Sequence, residues 1–268
     1  MSHTTDYTLA ELMIAAASEA WRHNGEVLAS GIGIVPRIAA GLAKLTHTPA
    51  LLMTDSEAYF VEEPVPLGPR GDYRPKFSGW MPYARVFEGV WGGQRHAMVG
   101  PTQIDRFGQA NISCLGDYNK PKIQMLGVRG FPGNSINHIN SMFVPNHGKR
   151  VFVENEVDMV GSVGYNPARW PDGKQPPYLD LRLIVTDLCV MDFGGPDHAI
   201  RVRSLHPGVT LEDVRAATGF PLHVDGELPV TPGPDAAQMD IIRWLDPHNL
   251  RATVLKDNPP ALRQRSGT

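Results

Sequence analysis

The chain has 268 residues, of which 42% are hydrophobic and 20% are charged, and this composition excludes disorder as the general state. Its formal net charge of −3, with no run of like charges, argues against nucleic acid or a membrane surface as a partner. The two cysteines, Cys114 and Cys189, are too far apart for a disulfide framework or a zinc knuckle. No apolar stretch is long enough to span a bilayer, and the polar start is not a signal peptide, so we expect a cytoplasmic protein.

The first part of the sequence predicts alternating helices and strands. A capping box at residues 8–11 opens an amphipathic helix that ends at Asn24-Gly25. The apolar run 27–34, followed by a helical pattern that Pro36 opens, predicts a strand, a glycine turn and a second helix. The run 50–54 is expected as a parallel neighbour of that strand, in a βαβ unit. The expected class is therefore α/β, with an open, mostly parallel sheet flanked by helices.

The remaining elements are shorter. Short strands are expected at residues 96–100, 110–115, 122–126 and 142–145, before a surface loop at 166–177. Two β-rich runs, 181–193 and 199–205, flank a Gly-Gly-Pro-Asp turn and predict an antiparallel hairpin added to the sheet. Two further helices are expected, one capped by Thr210 and one at 238–245. Residues 1–255 are expected to form one domain, and residues 256–268 a surface or disordered tail.

The glycine turn at residues 31–36 departs from a dinucleotide-binding fingerprint, because Pro36 stands where the third glycine belongs. Two glycines at the carboxyl end of a buried strand still allow backbone N–H groups to face a ligand. Such a turn can bind a phosphate or stabilise an oxyanion. It can equally be a tight turn without a ligand, and the motif alone leaves both readings open.

Acidic residues follow the second predicted strand. Asp55, Ser56 and Glu57 come where open α/β sheets place their chemistry, with solvated loop acids as the alternative. A second glycine-rich segment, 127–133, precedes the polar residues 134–140 and is another candidate backbone cradle for an anionic or carbonyl group. The histidines show no metal-ligand spacing, so no metal is expected.

Six fragments, read in order, resemble the beta subunits of class I coenzyme A transferases, closest to the glutaconate transferase branch. They are residues 31–36, 45–49, 100–111, 127–134, 184–188 and 207–220. The resemblance implies the CoA-transferase (NagB/RpiA-like) fold with a seven-stranded, mostly parallel sheet. It also implies a homologous alpha subunit, in a heterodimer or heterotetramer, and an acyl-CoA substrate bound between the two subunits. CoA then belongs to the substrate, and no separate cofactor is expected.

The sequence departs from this family at the nucleophile. The family glutamate that attacks the thioester maps to Ser56 or, with the register shifted by one residue, to Glu57. The glycine that follows two residues later is absent, and the bulky pair Tyr59-Phe60 would crowd a thioester. In this the chain is similar to the beta subunits of the transferase-like hydrolases of actinobacterial cholesterol catabolism. Those enzymes open the last steroid-derived ring of a cyclic β-keto acyl-CoA by a retro-Claisen hydrolysis.

The resemblance therefore implies the beta subunit of a heteromeric acyl-CoA hydrolase of steroid catabolism. Ser56 and Glu57 are its predicted catalytic residues, which orient water or substrate. The predicted substrate- and CoA-binding residues are Gly31, Gly33, Gln103, Gly130, Phe131, Pro132, Gly133 and Asn134. Charge alone makes Arg70, Arg74 and Lys76 candidates for the CoA phosphates. Two alternatives stay open: a true CoA transferase with Glu57 as nucleophile, and a non-catalytic scaffold for an active alpha subunit.

Overall fold

The computed structural model describes residues 7–127 and 130–262. Its helices are α1 (Leu9–Ser18), α2 (Ile34–Leu45), α3 (Tyr83–Trp91), α4 (Phe131–Asn137), α5 (Leu211–Ala217) and α6 (Ala236–Leu245). Its strands are β1 (Leu28–Gly31), β2 (Met53–Asp55), β3 (Tyr59–Val61), β4 (Phe77–Trp80), β5 (Arg95–Val99), β6 (Gln103–Ile104), β7 (Ala110–Asn111), β8 (Cys114–Leu115), β9 (Ile123–Gln124), β10 (Ile139–Val144), β11 (Asp180–Thr186), β12 (Cys189–Asp192), β13 (Arg201–Leu205) and β14 (His223–Val224).

The central sheet has seven strands in the order β1-β5-β10-β11-β12-β13-β14. Its first four strands run parallel, β12 pairs antiparallel with both β11 and β13, and β14 returns parallel to β13. The expected open, mostly parallel sheet with an antiparallel addition is confirmed. The predicted run 181–193 is two strands, because Thr186 Oγ1 accepts the N–H groups of Leu188 and Cys189 and so turns the chain.

Helices cover one face of the sheet, and α1 lies at the centre of that layer. Thr8 Oγ1 accepts Glu11 N–H while Glu11 Oε2 accepts Thr8 N–H, so the predicted capping box is present. Every residue of α1 is buried, since the helix packs against α2, α6 and the sheet. A second apolar core, which includes Phe131 and Phe152, fills the opposite face.

The predicted βαβ unit is present, but its second strand pairs with β1 only at Leu52. Leu52 makes one parallel bridge to Leu28 and donates its N–H to Val27 O, so the run 50–54 begins beside β1. The chain then leaves the sheet, and β2 pairs antiparallel with β3 in a separate three-stranded sheet completed by β4. The strand that pairs with β1 along its full length is β5, on the other edge of β1. This excursion carries residues 56 and 57 out on a hairpin.

The end of the chain packs against its beginning. Pro259 O accepts the N–H of Leu9 at 2.8 Å, Pro260 forms a bridge with Thr8, and Ala261 is buried. The described part of the expected tail, residues 256–262, is mostly exposed and lies on the surface against the start of α1. Residues 263–268 of that expected tail lie outside the described residues.

The first prediction concerns Gly31, where a Cβ atom would overlap the carbonyl group of Pro36 and the start of α2. Because backbone cannot retreat as a flexible side chain can, Gly31→Ala is expected to lower the free energy of unfolding by about 3 kcal/mol or more. Gly89→Ala is the matched control, since Gly89 lies in α3 with no atom near its added methyl. That change is expected to be neutral or to stabilise by up to about 1 kcal/mol. Equal denaturant midpoints for the two variants would contradict the assignment.

Candidate active site at the carboxyl edge of the sheet

The glycine turn lies where β1 ends and α2 begins. Gly33 is the N-cap of α2 and has a φ of 111°, a backbone conformation that favours glycine. Gly31 has a structural reason to lack a side chain, because the first turn of α2 packs directly on it. The helix start therefore sits close to the strand end, as predicted, and its first N–H groups lie at the edge of the sheet. Ligand binding by Gly31 and Gly33 stays a prediction.

Ser56 and Glu57 form the turn between β2 and β3. Both have positive φ values, 54° and 63°, which are uncommon for residues with a side chain. The Asp55–Tyr59 pair closes the hairpin on either side of them. Both predicted catalytic residues are exposed, and 63% of the Glu57 side chain is accessible. The tip thus presents a hydroxyl and a carboxylate outward rather than into a pocket of this chain.

The acid before this tip has a structural task. Asp55 is buried, accepts two hydrogen bonds from Arg70 at 2.7 and 2.9 Å, and lies 3.6 Å from Arg37 of α2. The Arg70 hydrogen bonds hold the pKa of Asp55 below its ordinary value, against the opposing effect of burial. Asp55 therefore fastens the hairpin to the start of α2. Arg70, a candidate for the CoA phosphates, is committed to this ion pair.

Arg95 lies near both Ser30, which precedes the glycine turn, and Glu57 of the hairpin tip. No sequence pattern singled out this arginine. Its Nε donates to Ser30 Oγ at 2.8 Å, next to Gly31, and its Nη2 lies 4.0 Å from Glu57 Oε2. Only 11% of its side chain is accessible, and this burial lowers the pKa of Arg95 although Glu57 opposes the effect. The structure therefore places one guanidinium between Ser30 of β1 and Glu57 of the hairpin tip.

Gln103 is buried with its carbonyl end fixed. Its Oε1 accepts from Asn111 Nδ2 at 2.7 Å and from the backbone N–H of Asp158 at 3.0 Å. Because the oxygen is occupied, the amide nitrogen is the end that remains for a ligand. Within residues 7–127 and 130–262, no hydrogen bond or ion pair joins Gln103 to Glu57 or to the glycine turn.

The described end of the second glycine-rich segment, residues 130–133, forms the start of α4. Gly130 is the N-cap of α4, so Phe131, Pro132, Gly133 and Asn134 form its first turn, earlier than the polar start expected at residues 134–140. Residues 128 and 129 of the predicted loop lie outside the described residues.

Two residues of this turn face inward. Phe131 is 4% exposed and belongs to the apolar core, so it is a packing residue in this chain rather than an open wall of a site. Asn134 is also buried, and among the described residues its Oδ1 has no hydrogen-bond partner.

Three buried or half-buried groups, His96, His147 and Cys189, are poor acid–base groups. Burial holds the pKa of His96 well below its usual value and lowers that of His147 to about 3, while it raises the pKa of Cys189 to about 12. No group of three or more potential metal ligands occurs in the part of the chain that the structure describes. Nor is any helix in that part long and apolar enough to cross a membrane.

The chain is similar along most of its length to known proteins, although no family model matches it. The cholesterol ring-cleaving hydrolase IpdB subunit of Mycobacterium tuberculosis is 43% identical over 245 residues, which span 91% of this chain and 97% of that protein. A chain in the crystal structure of IpdAB from Rhodococcus jostii is 40% identical, with a TM-score of 0.86 over 94% of this chain and all of that one.

A more distant solved structure supports the same fold. Glutaconate coenzyme A-transferase from Acidaminococcus fermentans is 27% identical to this chain, with a TM-score of 0.76 over 92% of this chain and 97% of its own. The expected CoA-transferase fold is thereby confirmed. The predicted site residues are not tested by these likenesses.

The second prediction concerns the pH dependence of stability through Asp55. Its folded pKa lies below the unfolded value, so its contribution is present above about pH 4 and is lost as pH falls through the folded pKa. Asp55→Asn is expected to lower the free energy of unfolding by about 1–3 kcal/mol near pH 7 and by less near pH 3. Glu212→Gln, at an exposed acid 4.0 Å from Arg215, is the control and should change little. A deficit of Asp55→Asn that is equal at both pH values would contradict this account.

Proposed function

The chain belongs to the family of cholesterol ring-cleaving hydrolase IpdB subunits, and from this premise we propose that it is the beta subunit of a heteromeric acyl-CoA hydrolase. Its reaction is the opening of the last steroid-derived ring of a cyclic β-keto acyl-CoA. The observation that carries the proposal is 43% identity over 91% of the chain to a subunit of that name. The altered turn at Ser56 and Glu57, where neither residue is followed by the glycine of the transferases, supports hydrolysis over CoA transfer.

The reaction needs only water as a co-reactant. A base removes a proton from water, the oxygen adds to the ring ketone, and a tetrahedral anion forms. The bond between that carbon and the carbon bearing the thioester then breaks. Its electron pair moves into the thioester as an enolate, which takes up a proton. The product keeps CoA and carries one new carboxylate.

Residues of this chain supply part of the machinery. Glu57 has an exposed carboxylate that orients or deprotonates the water, with Ser56 beside it. The N–H groups at the start of α2, next to Gly33, stabilise negative charge on an oxygen of the substrate. The amide nitrogen of Gln103 is a further donor, and the first turn of α4 borders the acyl group.

A partner completes the site. The relative of known structure, IpdAB, is named for two subunits. The catalytic tip of this chain is exposed. We therefore assign an alpha subunit to the uncovered side of the tip, in a heterodimer or a dimer of heterodimers. The substrate brings its own CoA, so no further cofactor is assigned. A cytoplasmic location fits an acyl-CoA substrate and the two unpaired cysteines, Cys114 and Cys189.

A second candidate is a true CoA transferase with Glu57 as nucleophile. The exposed carboxylate of Glu57 and the likeness to glutaconate coenzyme A-transferase favour it. Such an enzyme passes through an acyl anhydride and a glutamyl-CoA thioester. Borohydride reduction of the complex with an acyl-CoA, followed by mass spectrometry, distinguishes the two reactions, because only the transferase leaves a reduced Glu57 or a Glu57–CoA adduct.

The third prediction is the fate of water oxygen. The copurified complex is incubated in oxygen-18 water with 2-oxocyclohexanecarbonyl-CoA. It is expected to give pimeloyl-CoA with label in the new carboxylate and CoA still attached. Mass spectrometry of the CoA esters reads both features. Release of free CoA with label in the ring acid would indicate simple thioester hydrolysis and would contradict the proposal.

The fourth prediction separates a catalytic subunit from a scaffold. Glu57→Gln keeps the shape of the side chain and removes its charge and basicity, so turnover by the assembled complex is expected to fall about 100-fold. Glu212→Gln on α5 is the matched control and should leave turnover unchanged. Wild-type rates for both Glu57→Gln and Ser56→Ala would favour the scaffold instead.

A further inference from the structure

We infer that Arg95, held by Ser30, is the receptor for the carboxylate that ring opening creates on the acyl group. The inference rests on the proposed function, because that reaction is the source of the carboxylate. It adds a residue that no motif in the sequence marks and gives the site a ligand class, an acyl-CoA with a carboxylate at the far end of its acyl chain.

The first observation is that Arg95 is nearly buried and mostly unused. Its side chain is 11% exposed, and its Nε donates to Ser30 Oγ at 2.8 Å. A guanidinium has five N–H donors, and Ser30 occupies one. The nearest carboxylate oxygen, on Glu57, is 4.0 Å from Nη2, which is beyond hydrogen-bond distance.

Arg251, which is buried, shows how carboxylates of this chain compensate the charge of a guanidinium that is removed from water. Arg251 is 9% exposed, and its guanidinium donates to Glu11 at 2.8 Å and to Asp246 at 3.0 Å. Removing a cation from water is costly unless an anion compensates for the loss of solvation. Among the described residues, Arg251 has two carboxylates within hydrogen-bond distance, whereas the carboxylate nearest to Arg95 is that of Glu57, at 4.0 Å. The missing anion at Arg95 is therefore one that arrives from outside the chain.

The position of Arg95 selects which anion that is. Ser30 precedes Gly31 in β1, and Glu57 is at the hairpin tip, so Arg95 contacts the strand that leads into the glycine turn and lies beside the predicted catalytic carboxylate. The adduct of water with the ring ketone carries two oxygens on one carbon, and it becomes a carboxylate when the ring opens. A planar guanidinium matches two such oxygens with two parallel hydrogen bonds.

The contact strengthens as the reaction proceeds. The ring ketone is neutral, the water adduct is an anion, and the product is a carboxylate. A fixed cation stabilises the transition state, in which negative charge develops, more than it stabilises the neutral ketone. It therefore lowers the activation barrier. Arg95 is thus expected to affect kcat more than KM, and to favour products that carry a carboxylate.

The test uses the assembled complex and three variants. Arg95→Gln removes the charge, Arg95→Lys keeps the charge without the fork, and Arg215→Gln is the matched control, since Arg215 also lies 4.0 Å from a glutamate oxygen but on exposed α5. With 2-oxocyclohexanecarbonyl-CoA, Arg95→Gln is expected to lower kcat about 100-fold and to change KM less than about threefold. Arg95→Lys should lie between wild type and Arg95→Gln. A kcat of Arg95→Gln within about twofold of wild type would overturn the inference.

A binding experiment reads the same contact without catalysis. Calorimetry with pimeloyl-CoA and heptanoyl-CoA, which differ by one carboxylate, is expected to show that Arg95→Gln loses about tenfold or more in affinity for pimeloyl-CoA alone. Equal losses for both esters, or none, would contradict a carboxylate receptor. If the wild-type complex opens no ring, the proposed function fails. The comparison of pimeloyl-CoA and heptanoyl-CoA affinities then still decides whether Arg95 binds a carboxylate. Should Arg95→Gln fail to assemble, the same comparison on Arg95→Lys decides, and unchanged pimeloyl-CoA affinity would overturn the inference.

Discussion

The carboxylate of Asp55 is the constraint on which the arrangement of the site depends. It is buried, it accepts two hydrogen bonds from Arg70, and it lies 3.6 Å from Arg37 on the first turn of α2. The hairpin leaves the main sheet after the Leu52 bridge, and this ion pair fastens its outer end to α2 beyond the apolar packing of Met53 and Val61. Glu57 is two residues away, and its distance from Arg95 is set by how firmly Asp55 holds the hairpin.

Local signals in the sequence were sufficient for the elements around the site. The capping boxes at Thr8 and Thr210 are both present, because each needs only residues three positions apart. The glycine turn was also predictable, since a strand, two glycines and a helix are read in chain order. The seven-stranded sheet followed from a resemblance rather than from periodicity.

The parts that were missed depend on contacts between distant residues. Strands β3 and β4 contain few of the alternating apolar positions that mark a strand. They form through pairing, β3 with β2 and β4 with β3. Arg95 begins a strand and carries no motif, and its meaning comes from Ser30 and Glu57, which lie in different segments of the chain. The glycines 130 and 133 suggested a loop, whereas one became an N-cap and the other entered a helix.

The contact between the two ends of the chain also sets an order of events during synthesis. Helix α1 is synthesised well before its partners, because Glu11 pairs with Arg251, 240 residues later, and Leu9 donates to Pro259. At ordinary elongation rates that delay is on the order of tens of seconds. During this interval the most apolar helix of the subunit has neither its ionic partner nor its backbone acceptor. The nascent chain thus carries α1 without these two contacts until Arg251 and Pro259 have been synthesised.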